Sequence, residues 1–217
     1  MNKEWSELNK TMQAQIKKKD TYKMGIDTLF NLRRQLMQTL VSFKEDLCRE
    51  DFNAIPFINA DGYHSKTIAY SIWHIFRIED IVAHTVITED EQVFFTGNYQ
   101  VRINSPIITT GNELVKQQIA DFSKQLNLEE LYSYIFEVRE STEKILERFS
   151  YDELKWKIPD ERKGYLKSLN VVNCDEKAIW LIDYWCSKDI RGLIQMPFSR
   201  HWIMHTEACL RLSLIHI

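Results

Sequence analysis

Two histidines stand four residues apart near the C-terminal end of the chain, His201 and His205 in the string FSRHWIMHTEACLRL. On an α-helix this spacing separates the two side chains by only ~40°, so both project from one face. Phe198, Ala208 and Leu212 share that face, which indicates that the two imidazoles point toward a core. A divalent cation bound by neutral imidazole nitrogens would satisfy them there.

A catalytic site of the zinc type needs a third protein ligand and one open coordination position. His74, in the segment SIWHIFRIED, lies at the edge of the apolar arc of its own predicted helix and can face the same interior. On the same predicted helix, His84 projects in roughly the same direction as Arg77 and Asp80, and we expect these three side chains to be solvated. The pattern therefore predicts a metal site formed by His74, His201 and His205. The same spacing also fits histidines that hydrogen-bond to core waters, so both interpretations stay open.

Charged and aromatic residues beside these histidines are further candidates for the site. Glu79 interrupts an apolar stripe and could accept a hydrogen bond from a ligand or act as a base, although its ~140° offset from His74 favours a structural ion pair. Candidate substrate-binding residues are two arginines, whose guanidinium groups suit a carboxylate, and two tryptophans that could wall a pocket. They are Arg77, Arg200, Trp73 and Trp202. A solvated face for the arginines and ordinary packing for the tryptophans are the alternatives.

Several related chemistries do not fit the motifs. Trp202 stands where the H-E-x-x-H motif of zinc proteases has its general base. The chain has no pair of E-x-x-H motifs, as a ferritin-like di-iron centre would need. It also lacks the glycine-rich strings of dinucleotide-binding and P-loop proteins. These absences exclude four well-known site types.

The elements that position the histidines are predicted to be helices, since 217 residues include only 6 glycines and 4 prolines. Long amphipathic helices are indicated over residues 22–47, 65–86, 127–149 and 197–215, with Ser65 and Asn127 as N-caps. Shorter helices are expected near 115–126 and 176–192. Narrow apolar stripes on long helices favour an all-α, up-down four-helix bundle with additional short helices. Residues 1–21 are predicted to form an amphipathic N-terminal extension, and residues 22–217 one domain.

Composition limits the classes of partner. A net charge of −3 provides no positive field for nucleic acid, so we expect no nucleic-acid partner. No apolar run approaches the roughly 20 residues of a membrane helix, and the polar start MNKEWSELNK does not resemble a signal peptide. The four cysteines form no C-x-x-C pair. We therefore predict a cytoplasmic protein with reduced thiols and no membrane partner.

The layout resembles the DinB-like superfamily of metal-dependent enzymes, which includes thiol-dependent S-transferases. The resemblance rests on a long first helix, W-H followed by R-I-E-D in the second, and H-x-x-x-H in the last. It implies a DinB-like bundle that forms a homodimer, with His74, His201 and His205 binding zinc or nickel and a low-molecular-weight thiol among its small-molecule substrates. The chain departs from the family after His205, where Ala208 and Cys209 replace a common Gly-Gln pair.

Residues and resemblance together predict a metal-dependent enzyme, a thiol S-transferase or a hydrolase, that activates a thiol or water to act on a small molecule. Two other classes stay open. One is a non-catalytic helical bundle that binds a ligand. The other is a structural dimer with a vestigial site.

Overall fold

The computed structural model describes residues 2–215, and its regular elements are helices, as the all-α prediction required. Across these residues no strand forms, and one isolated bridge joins Lys157 to Asp189. None of the described helices combines the length and the apolar character that crossing a membrane requires. The α-helices, in chain order, are α1 (Lys3–Gln15), α2 (Tyr22–Asp46), α3 (Arg49–Asn53), α4 (Ile68–Asp80), α5 (Val93–Thr96), α6 (Tyr99–Ile103), α7 (Gln117–Gln125), α8 (Leu128–Arg148), α9 (Glu161–Ser168), α10 (Glu176–Cys186), α11 (Ile190–Gln195) and α12 (His201–Ser213).

Irregular helical segments extend two of these elements. A π-helical segment, Ile81–Thr88, continues α4, and a second one, Met196–Arg200, leads into α12. Short 3-10 helices cover Gly62–Ser65 and Glu153–Lys155. The helix expected near 176–192 ends at Cys186, because a new helix starts at Ile190 behind an Asp189 cap.

The long helices α2, α4, α8 and α12 pack against one another. Helix α2 packs against α8, α8 against α4, α4 against α12, and α12 against α2. Every residue of α4 is buried, so this helix has no solvated face. A helix that is buried on all sides needs no polar face, which explains why the sequence of α4 shows only a weakly polar side.

Helices α4 and α8 each begin at a residue whose side chain caps the helix. The Asn127 side chain accepts from the Glu130 amide at the start of α8, as the sequence predicted. The predicted Ser65 cap of α4 is wrong, because Ser65 ends a 3-10 turn and Lys66 is extended. The cap is Thr67, whose Oγ1 accepts from the Tyr70 amide at 3.0 Å.

The N-terminal helix α1 lies along α2. Trp5 and Met12 of α1, and Ile16 at its C-terminal end, are buried, which agrees with the predicted amphipathic character of this segment. Gly25 of α2 permits the close approach, since a Cβ there would lie 2.5 Å from the Ile16 side chain.

Candidate metal centre

The structure brings His74 of α4 together with His201 and His205 of α12. All three side chains are buried, and one potential ligand nitrogen of each lies within 4.8 Å of the others. The ring centroids are 5.1 Å apart for His74 and His201, 4.9 Å for His74 and His205, and 4.6 Å for the α12 pair. Because α4 packs directly on α12, His74 joins the two histidines of α12 in one cluster.

His74 is held in a defined tautomer. Its Nδ1 lies 2.6 Å from the Thr110 carbonyl, which can only accept, so Nδ1 carries the proton and Nε2 keeps its lone pair. The Tyr70 ring stacks on the imidazole at 5.3 Å and donates its hydroxyl to the Gly111 carbonyl. Gly111 has a φ of 76°, and a Cβ there would lie 2.8 Å from the Trp73 ring. The glycine therefore lets the 110–111 backbone approach α4 and orient His74.

The two α12 histidines lack such a partner. Nδ1 of His201 and Nδ1 of His205 are buried, and neither has a hydrogen-bond partner in the part of the chain that the structure describes. Leaving a buried polar group unpaired costs about 1–3 kcal/mol. With no bond to place the proton, either ring nitrogen can present its lone pair to an ion.

Electrostatics keeps the cluster neutral. Burial lowers the pKa of His74 to about 4 and holds the pKa values of His201 and His205 well below the ordinary range. The positive charge of Lys66 lowers the pKa of His74 and of His205 further. Neutral imidazole is the form that binds zinc, nickel and related cations, so this donor set fits such an ion.

A cavity of about 250 Å³ opens beside the cluster, and the three histidines form part of its wall. The rest is mainly aromatic and apolar. Its aromatic side chains are Tyr63, Trp180, Tyr184 and Trp185. The Tyr63 ring stands edge-on to His205 at 4.7 Å. Sequence reasoning missed these four residues. For three of them the only signal is the aromatic cluster in AIWLIDYWC, which does not reveal what it faces, and Tyr63 lies outside that cluster.

Glu79 lies outside the cavity wall, in a buried ion pair. Its two carboxylate oxygens accept from Arg33 of α2 at 2.7 and 2.9 Å. One of them also accepts from the Trp202 indole N–H at 2.7 Å. The ion pair that the sequence favoured is therefore present, and it joins α4 to α2 and α12.

The expected solvation of Arg77, Asp80 and His84 is wrong, because all three side chains are buried. The Arg77 guanidinium donates to the Ile108 carbonyl at 2.8 and 2.9 Å. Asp80 accepts from the backbone amides at the start of α5 and from the Tyr134 hydroxyl. His84 contacts Asp90 and Ser141. Segments distant in sequence cover this face, which a helical projection cannot foresee.

The remaining candidate residues have different positions. Arg200 is exposed, one residue before His201. Trp73 packs edge-on against Phe122 with centroids at 4.8 Å, and Trp202 packs against Phe76 at 4.5 Å. Both tryptophans belong to the core around α4, and the cavity is walled by Trp180 and Trp185.

Comparisons with known proteins add no assignment. No family model matches the chain, and no match was found among curated proteins. The geometry of the site itself therefore carries the functional argument.

Proposed function

We propose that this protein is a metal-dependent enzyme, an S-transferase or a hydrolase acting on a small molecule. His74, His201 and His205 would hold one divalent cation, zinc or nickel, beside the cavity. One observation carries this proposal: three buried, neutral imidazoles converge on a cavity large enough for a small ligand.

A bound divalent cation supplies Lewis acidity, which lowers the pKa of a coordinated thiol or water molecule toward neutrality. The chain's own residues provide the rest. Thr110 orients His74 through its carbonyl, and aromatic side chains form much of the surface that a substrate would contact. Because the three ligands are neutral, the cation keeps its full charge for the molecule that it activates.

The order of the elements supports a DinB-like bundle as part of this proposal. His74 lies on α4, the second of the four long helices, and His201 and His205 lie on α12, the last of them. A low-molecular-weight thiol as co-substrate and a homodimeric assembly belong to the same proposal.

Elemental analysis of protein purified without a His-tag or added metal tests the centre. We expect about one zinc or nickel ion per chain, and loss of that ion in His201→Ala, with circular dichroism showing retained helices. His84→Ala is the matched control, since it removes a buried histidine outside the cluster and should keep the metal. Metal retained in His201→Ala would contradict the ligand assignment. A chain that takes up no metal on titration would leave ligand binding or a structural role as the function.

A further inference from the structure

Two aromatic side chains of one helix line the cavity beside the histidines. Trp180 and Tyr184 are four residues apart on α10, and their rings meet edge-to-face with centroids at 5.7 Å. The Trp180 indole N–H donates to the Lys177 carbonyl at 2.9 Å, which holds the ring in place although half of it is exposed. A fixed, solvent-exposed indole at a cavity mouth offers its face to a ligand.

A third aromatic side chain in the cavity wall comes from another element. Tyr63 comes from the 3-10 turn before α4, and its ring stands against His205. The volume of about 250 Å³ lies below the ~300–1,000 Å³ of sites for drug-sized ligands. A molecule with a single ring therefore suits this space better than a larger one.

Among the described residues, those that line the cavity include no aspartate or glutamate. The nearest acidic residue in sequence to the lining residue Asn112 is Glu113, whose negative charge acts on Tyr70, the ring that stacks on His74. The positive charge of Lys66 lowers the pKa of His74 and of His205. Arg200 is exposed and directly precedes His201, and its positive charge opposes the rise that burial causes in the pKa of Tyr63 and of Tyr184. Within the described chain Arg200 forms no ion pair, so its charge is available to a ligand.

One polar side chain in the cavity wall can accept a hydrogen bond from a ligand. Asn112 lines the cavity, and its buried Oδ1 has no hydrogen-bond partner among the residues that the structure describes. A ligand that donates a hydrogen bond to this oxygen would remove the cost of leaving it buried and unpaired. That hydrogen bond would fix the orientation of a ligand that carries a polar substituent on its ring.

We infer that the cavity binds a small aromatic anion, a single ring that lies against Trp180 and Tyr184 and directs its negative group toward the three histidines. This inference rests on the proposed function, because it assigns the substrate class of the same site. A divalent ion on three neutral ligands adds positive charge that no lining carboxylate balances, and an anionic substrate balances it. The ring supplies the affinity that depends on the aromatic wall.

Three probe molecules test separately how much the aromatic ring and the negative charge contribute to binding. Benzoate has both features, cyclohexanecarboxylate has the charge without the aromatic ring, and benzyl alcohol has the ring without the charge. We expect zinc-loaded protein to bind benzoate about tenfold more tightly than either of the others, as measured by isothermal titration calorimetry. Trp180→Ala should weaken benzoate binding about 3- to 10-fold and reduce the preference for benzoate over cyclohexanecarboxylate.

Trp156→Ala is the matched control, because Trp156 is similarly exposed and lies outside the cavity wall. It should leave all three affinities unchanged. Equal affinity for benzoate and cyclohexanecarboxylate, or no binding of any probe, would overturn the inference. Metal content is measured on every sample. If the chain takes up no metal, the proposed function fails. The preference for benzoate over the other two probes is then measured on the metal-free protein, and it still decides the inference.

Discussion

The three histidines differ in what holds them. His74 is fixed by the Thr110 carbonyl and by stacking on Tyr70, whereas the rings of His201 and His205 each have a buried nitrogen that finds no hydrogen-bond partner in residues 2–215. The orientation of His74 thus depends on a backbone turn outside both ligand helices. Groups that hydrogen-bond to a ligating histidine commonly contribute 10–100-fold to metal affinity.

Gly111→Ala tests this dependence at the scale of one residue. The new Cβ would meet the Trp73 ring, and the φ of 76° is strained for alanine, so the Thr110 carbonyl must shift. We expect zinc affinity to fall about tenfold in a competition titration with a chelator dye. Gly164→Ala is the control, because its Cβ would meet nothing within 4 Å. Equal zinc affinity in wild type and Gly111→Ala would argue against the role of the turn.

At the scale of the elements, a buried ion pair sets how the ligand helices meet. Arg33 of α2 donates to both oxygens of Glu79 on α4, to the Phe198 carbonyl before α12, and to Glu143 of α8. Glu79 in turn accepts from Trp202, the neighbour of His201. Through these contacts one guanidinium links all four long helices. Removing one partner of such a pair costs more than the pair contributes, because the other charge stays buried.

Glu79→Gln should therefore be strongly destabilising, by about 3–5 kcal/mol in urea unfolding. The substitution keeps the shape of the side chain and leaves Arg33 with less negative charge around it. Glu129→Gln is the matched control, because Glu129 pairs with Lys44 at the surface and should change stability little. Similar midpoints for the two variants would show that the buried pair does not hold the helices together.

At the scale of the whole molecule, the neutral cluster couples folding to pH. Histidine in an unfolded chain titrates near pH 6.5, whereas burial lowers the pKa of His74 in the folded protein to about 4. Between these values the unfolded state binds more protons than the folded state. The unfolding free energy therefore falls as the pH decreases through this window, and the stabilisation is complete above pH 6.5.

Metal-free protein should accordingly lose on the order of 2 kcal/mol of stability from this residue between pH 7 and pH 4.5. Urea unfolding of chelator-treated protein at several pH values measures the slope. His74→Asn, whose side chain does not titrate in this range, should show a shallower slope than wild type. An unchanged slope would mean that His74 is not kept neutral by folding.

Local patterns in the chain account for the helices. The stripe of α2, the Asn127 cap of α8 and the shared face of His201 and His205 depend on residues within a few turns of one another. Helical periodicity and capping act over that range, so these features could be predicted from the sequence. Thr67, rather than Ser65, caps α4 because the backbone between them is extended, which no pattern of side chains signals.

The assembly of the site and the burial of its neighbours depend on contacts between segments that are distant in sequence. The sequence suggested His74 as a third ligand, but only the packing of α4 on α12 brings it to the other two. The same is true of the aromatic wall from α10, and of the burial of Arg77, Asp80 and His84 under later segments. A helical projection describes one helix in isolation, and which face becomes buried depends on the elements that pack on it. Burial and the meeting of side chains are therefore properties of the assembled core rather than of any segment in it.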